Sequence, residues 1–202
     1  SISDNLTPSG TVTFTYDDAS RMTSAAMSGD SFSNGPKVDL GYDNANRLTS
    51  LTRSVPACDM CEPDDSRVRT TFTYDNADRM TAITHTYSNG GSPTTLATYT
   101  YGYDAASQLT TETNQDGTYT FTYDARNRLT SALDSRFAAP IRYEYDRLGR
   151  VARMTNPQGG ATDYTYDARG FVSSIRNPAG LTTSFSYDKA GRRSEVVFAN
   201  GT

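Results

Sequence analysis

The chain has 202 residues, a net charge of −4 and a mean hydropathy of −0.64. It holds no apolar run of the ~18 residues that a membrane-crossing helix needs, and a pI near 5.0 does not suit a nucleic-acid surface. Ile, Leu, Val and Phe together supply 30 residues, too few for an ordinary aliphatic core, whereas 14 tyrosines recur at fixed places in the chain.

Fixed-period self-similarity decides the fold before any local reading does. Eight Tyr-Asp pairs set the frame: Tyr16-Asp17, Tyr42-Asp43, Tyr74-Asp75, Tyr103-Asp104, Tyr123-Asp124, Tyr145-Asp146, Tyr166-Asp167 and Tyr187-Asp188. From Tyr103 onward the spacings are 20, 22, 21 and 21 residues, which defines the plain unit. Before it they are 26, 32 and 29, the same unit with insertions.

In chain order, a polar lead over 1–10 precedes the first unit, where Phe14 and Tyr16 share one face of a strand and Arg21-Met22 open its partner. Asn34-Gly35 then signals a hairpin, and Leu40, Tyr42, Asp43, Arg47 and Leu48 make the second unit. An insertion over 53–69 carries Cys58, Cys61 and the acids Asp59, Glu62, Asp64 and Asp65. The third unit holds the only histidine, His85, and Asn89-Gly90-Gly91 marks a second insertion over 87–98. Both insertions are expected to project as loops. Units four to eight follow almost without interruption, turning at Gly117, Gly159-Gly160 and Gly180. Pro8-Ser9-Gly10 and Asn200-Gly201-Thr202 each read as a turn cut from its neighbour, so the chain is expected to be an excerpt of a longer array.

Within the unit, the residue two before the Tyr is aromatic in seven cases, Leu40 being the exception, so one strand face is aromatic and the other rich in Thr. The Asp after the Tyr suits the first position of a turn. Four after the Tyr stands Ser20, Asn46, Asp78, Ser107, Asn127, Gly149, Gly170 or Gly191, where a left-handed residue is expected to close a hairpin turn. Five after the Tyr is Arg21, Arg47, Arg79, Arg128, Arg150 or Arg192, but Gln108 and Phe171 in the other two units. This Arg has two readings, a pair with the turn Asp or a cation over a neighbouring tyrosine ring.

Catalytic and metal chemistry find little here. Cys58 and Cys61 form a lone CxxC, with an intra-loop disulfide favoured over a free pair and metal binding third. The surrounding acids lack EF-hand spacing. His85 has no Ser or Cys pattern to join in a triad. No catalytic residue, metal ligand or cofactor is assigned, and the chain is expected not to be an enzyme.

Tyr-Asp, Gly or Asn, and Arg-Leu at this spacing resemble the RHS or YD-repeat family, which includes bacterial Rhs proteins, the C components of insect-toxin complexes and animal teneurins. The resemblance implies an all-β fold of tandem hairpins stacked edge to edge into a spiralling sheet, as a shell wall or rod. It also implies an extracellular structural scaffold, part of a shell, stalk or fibre, that in bacterial members encloses a toxin domain. The family's plug segment Asp-Pro-x-Gly-Leu has no match in this sequence. Expected partners are flanking repeats or identical copies of the chain, an enclosed toxin or a surface glycan, at a secreted or cell-surface location. The alternative is a carbohydrate- or partner-binding adhesion module using exposed aromatics. Buried tyrosines would favour the scaffold and open ones the binding module.

Overall fold

The computed structural model describes residues 10–29, 35–55 and 66–199. Every regular element among them is a β-strand. Eight hairpins follow the eight Tyr-Asp pairs: β1 (Gly10–Tyr16) with β2 (Met22–Gly29), β3 (Lys37–Tyr42) with β4 (Leu48–Val55), β5 (Ser66–Tyr74) with β6 (Met80–Asn89), β7 (Thr94–Tyr103) with β8 (Leu109–Asn114), β9 (Gly117–Tyr123) with β10 (Leu129–Asp134), β11 (Ile141–Tyr145) with β12 (Val151–Thr155), β13 (Ala161–Tyr166) with β14 (Val172–Arg176), and β15 (Thr182–Tyr187) with β16 (Arg193–Val197). Strand order in the sheet is strand order in the chain. The residues divide into two compact units, Ser1–Gly102 with Thr113–Asp116, and Tyr103–Glu112 with Gly117–Thr202.

Both units are built from one hairpin geometry. The Asp N–H donates to the Arg carbonyl four residues on, as from Asp124 to Arg128 at 2.9 Å, and the Asn127 N–H returns to the Asp124 carbonyl at 3.0 Å. Closing so short a loop requires a left-handed residue. It stands at Ser20, Asn46, Asp78, Ser107 and Asn127, with φ of 61 to 64°, and at Gly149, Gly170 and Gly191, with φ of 79 to 91°.

The turn forces a bulge on the second strand. Tyr16 faces Met22, yet Thr15 faces Ser24, which leaves Thr23 unpaired. The same slip follows Tyr42, Tyr74, Tyr123, Tyr145, Tyr166 and Tyr187. Two side chains of the bulged strand thereby meet one of its partner: the Thr122 hydroxyl lies 2.9 Å from that of Thr130 and 2.7 Å from that of Ser131. Thr165 meets Ser173 and Ser174 in the same way.

At the other end of the hairpins, Asn replaces Asp in the same kind of turn. Asn156 Oδ1 accepts from the Gly160 N–H at 2.8 Å, and Asn177 Oδ1 from the Leu181 N–H at 2.9 Å.

Two expectations are corrected. The insertion over 87–98 is mostly strand rather than a projecting loop, and the described ends of the insertion over 53–69 are strand too. Residues 53–55 and 66–69 belong to β4 and β5, while 56–65, with Cys58 and Cys61, lie outside the described residues. In 87–98 the strands β6 and β7 continue to Asn89 and restart at Thr94, so only 90–93 is turn. The described inserted residues outside 90–93 lie in paired strands, and the longer ladder satisfies their backbone groups, which a free loop would leave to water. Secondly, among the described residues no hydrophobic side chain is buried; the buried polar ones are Ser24 and Thr70. From Tyr42 to Tyr187 the repeat tyrosines are half-buried rather than buried, because neighbouring side chains of the same face cover them.

Candidate functional site

The chemistry-bearing residues converge at the Tyr-Asp turns. In all eight, Asp Oδ1 accepts from the backbone N–H groups two and four residues on, as Asp146 does from Leu148 and Arg150, both at 2.9 Å. Asp Oδ2 accepts from the guanidinium Nε of Arg21, Arg47, Arg79, Arg128, Arg150 and Arg192 at 2.7 to 2.8 Å. Such donors hold Asp17, Asp43, Asp75, Asp124, Asp146, Asp167 and Asp188 below the usual carboxylate range. Asp124 is lowered to about 2, first by the Arg128 side chain and then by its N–H. Asp17, Asp43, Asp146 and Asp188 are lowered mainly by the N–H of the residue four on. At Asp75 and Asp167 desolvation is the largest single influence and pushes upward, but the combined hydrogen bonds outweigh it.

Acid should therefore loosen the turns. A carboxylate whose folded pKa lies below its unfolded value of 3.8 stabilises the fold fully above that value. The contribution disappears as pH falls through the folded value, about 2 for Asp124. Melting temperature is expected to fall between about pH 4 and pH 2. Thermal melts at constant ionic strength check this, and a flat profile across that window would contradict it.

The same Arg reaches forward into the next hairpin. Arg21 lies 4.8 Å from the Tyr42 ring centroid, Arg47 4.8 Å from Tyr74, Arg128 4.3 Å from Tyr145 and Arg150 4.2 Å from Tyr166. Both sequence readings of the Arg hold at once. Its Nη1 also donates across the gap: Arg21 to the Asp43 carbonyl at 3.2 Å and to Asn46 Oδ1 at 2.6 Å, Arg47 to the Asp75 carbonyl at 3.1 Å and to Asp78 Oδ1 at 2.6 Å. The tyrosine returns the contact. Its hydroxyl donates to the carbonyl of the residue after the preceding Arg position: Tyr42 to Met22, Tyr74 to Leu48, Tyr123 to Leu109, Tyr145 to Leu129, Tyr166 to Val151 and Tyr187 to Val172, at 2.7 to 3.0 Å. Each Tyr, Asp and Arg so arranged serves one turn and the joint to the next.

The departures keep the turn or the joint by other means. Gln108 donates its amide to Asp104 Oδ2 at 2.9 Å. Phe171 stacks on Tyr187 with centroids 4.9 Å apart, while Arg169, two residues earlier, contacts Asp167 and donates to the Asp188 carbonyl at 2.7 Å. Gly149 brings no side-chain acceptor, and the buried Arg128 Nη1 has no hydrogen-bond partner; a Cβ at Gly149 would lie 3.7 Å from it. Gly149→Asn supplies the missing acceptor in a residue type that tolerates positive φ. It is expected to melt at or above the parent, whereas Gly149→Ala loses about 1 kcal/mol. Equal losses in both variants would refute the assignment.

Candidate sites away from the turns are sparse. His85 Nδ1 lies 2.9 Å from the Thr70 hydroxyl, and its ring meets Tyr99 edge-on at 6.1 Å. Among the described residues no group of three or more His, Cys, Asp or Glu is placed to hold a metal. A half-open hollow of about 440 Å³ is walled by Tyr119, Leu133, Phe137, Ile141 and Pro157, and none of the eight repeat tyrosines lines it. Sequence reasoning missed the bulge hydroxyls and the tyrosine-to-carbonyl bond. Only the recurrence of Thr or Ser seven residues after the Tyr hinted at the first.

A family profile described as Teneurin YD-shell matches residues 58–200. No curated protein sequence gives a significant match. Among solved structures, the chain is similar to TcdB2-TccC3 without its hypervariable C-terminal region, at 13% identity and TM-score 0.54, over 93% of this chain and 11% of that one. It is similar also to TcdB2-TccC3-TEV, at 13% identity and TM-score 0.53, over the same shares of both chains. The chain thus spans about a tenth of the length of these structures, and the likeness at this identity is one of fold. With the profile covering more than two thirds of its length, the chain belongs to the teneurin YD-shell family.

Proposed function

We propose that this chain is a wall segment of an extracellular YD shell, a structural scaffold whose repeat residues Tyr, Asp and Arg hold hairpin to hairpin and carry no catalysis. One observation carries the reading: the polar groups of the repeat triad are spent inside the sheet, on the turn, the adjoining ring and the preceding carbonyl. A sugar-stacking tyrosine needs an open ring face. Tyr145 has a guanidinium over its ring and its hydroxyl on Leu129. Family membership supports the shell, and the similarity to chains solved as TcdB2-TccC3 supports assembly with further protein components, a toxin domain in bacterial members. Secreted or cell-surface placement follows from the same reading.

The test pairs two measurements on Tyr123→Ala and Tyr145→Ala: melting temperature and retention on a glycan column. The scaffold predicts a large fall in melting temperature. Unchanged melting with lost retention would transfer the assignment to a carbohydrate-binding module.

A further inference from the structure

At the end of the hairpins away from the Tyr-Asp turns, successive connections can pack closely. A Cβ at Gly160 would lie 3.0 Å from Pro178, so the turn 156–160 sits against the turn 177–181. Between that turn and the connection before it, 135–140, the half-open hollow of about 440 Å³ remains instead. It lies within the second compact unit, and the sheet supplies its floor. Ala132 and Asp134 share a face of β10, Tyr119 faces Asp134 from β9, and Ile141 faces Ala132 from β11. Phe137 and Ala139 line it from the connection, Pro157 and Gln158 from the turn.

The hollow is preformed. The Ser135 N–H donates to the Thr118 carbonyl and the Thr118 N–H to the Ser135 hydroxyl, both at 2.9 Å, and the Phe137 N–H donates to the Asp134 carbonyl at 2.9 Å. These bonds pin the connection at its root. The carboxylate of the floor is already spent, because Arg136 binds Asp134 through Nε and Nη2 at 2.6 to 3.0 Å. Two polar groups are left over. The Tyr119 hydroxyl accepts from Arg136 Nη2 at 3.2 Å, and its own proton has no acceptor among the described residues. The exposed Gln158 bonds through its backbone N–H, and its side-chain amide has no partner among the described residues.

We propose that this hollow binds a small uncharged aromatic molecule that carries one carbonyl or hydroxyl acceptor, a body about the size of coumarin. Ligand pockets run from about 300 to 1,000 Å³, and this one falls in that range. The lining selects the class. Tyr119, Phe137, Ile141 and Pro157 offer ring and aliphatic surface, so a flat apolar body leaves water on entering. The Tyr119 hydroxyl and the Gln158 amide address one polar substituent. A sugar, with hydroxyls on every side, would leave most of them unpaired against apolar walls. A charged ring would meet a carboxylate and a guanidinium already paired with each other. The site stands apart from the Tyr-Asp joints, so it goes beyond the scaffold reading without resting on it.

Coumarin, titrated into the whole chain by calorimetry, is expected to bind saturably with a Kd of about 1 mM or tighter. Methyl glucoside is expected not to bind in that range. Nuclear Overhauser contacts from the bound coumarin ring are expected at Phe137 and Ile141. Ala139→Trp fills the hollow and should weaken coumarin binding by about tenfold or more, and Tyr119→Phe by about threefold or more. No saturable coumarin binding, methyl glucoside bound as tightly, ring contacts at other residues only, or Ala139→Trp binding like the parent overturns the proposal. The scaffold is judged by the melting of Tyr145→Ala, which none of these results moves.

Discussion

Tyr145→Ala is expected to destabilise the protein by about 2–4 kcal/mol, read from denaturant unfolding. The range sits at or below that of a fully buried aromatic because Tyr145 is only half-buried. What it loses beyond area is specific: the Arg128 guanidinium 4.3 Å from its ring centroid and the 2.7 Å bond from its hydroxyl to the Leu129 carbonyl. Tyr145→Phe separates the two, keeping the ring and forfeiting about 1 kcal/mol for the hydroxyl. Tyr16→Ala is expected to cost about 1 kcal/mol or less, since Tyr16 is 61% exposed and no described guanidinium covers its ring. A ranking in which Tyr16→Ala costs as much as Tyr145→Ala would mean that strand propensity, not the joint, sets the effect.

The second large effect lies at Gly191, where φ is 79° and an added Cβ would stand 2.8 Å from Cζ of Phe171. Gly191→Val sets a β-branched residue in the left-handed region and pushes Phe171 off Tyr187, for an expected loss of about 2–3 kcal/mol. Gly90 separates the backbone cost from the contact. It has φ of 88° and open space around its Cβ position, so Gly90→Ala bears only the conformational cost, about 1 kcal/mol. Gly191→Ala should fall below Gly90→Ala by the cost of moving the ring. Equal melting of these two alanine variants would show that Phe171 yields freely.

The sequence carried the local chemistry well. Tyr-Asp followed by a residue tolerant of positive φ specifies a turn within five residues, and the left-handed conformation stands at the expected position of all eight turns. All-β architecture followed from the same repetition. Strand length was less legible. Gly90-Gly91 and the spacing of 29 before Tyr103 suggested a loop, but Thr94–Tyr103 is a β-forming run whose partner Met80–Asn89 is equally long, and pairing decided the outcome. Asn34 and Cys58-Cys61 lie outside the described residues. The joint between hairpins was half visible. Arg at a fixed offset suggested either an ion pair or a ring contact; one guanidinium does both, since Nε faces its own Asp and the plane of the group faces the next ring. The tyrosine-to-carbonyl bond was invisible, because its acceptor is backbone and leaves no residue signature.

A double-mutant cycle on Arg128 and Tyr145 tests the central claim most directly, that the repeat residues are joints between hairpins. Arg128→Met, Tyr145→Ala and the pair are unfolded in denaturant beside the parent protein. The joint predicts that the two losses fall short of additivity, with a coupling of about 0.5–1 kcal/mol from the guanidinium over the ring. Strictly additive losses would contradict it and reduce Arg128 to a partner of its own turn.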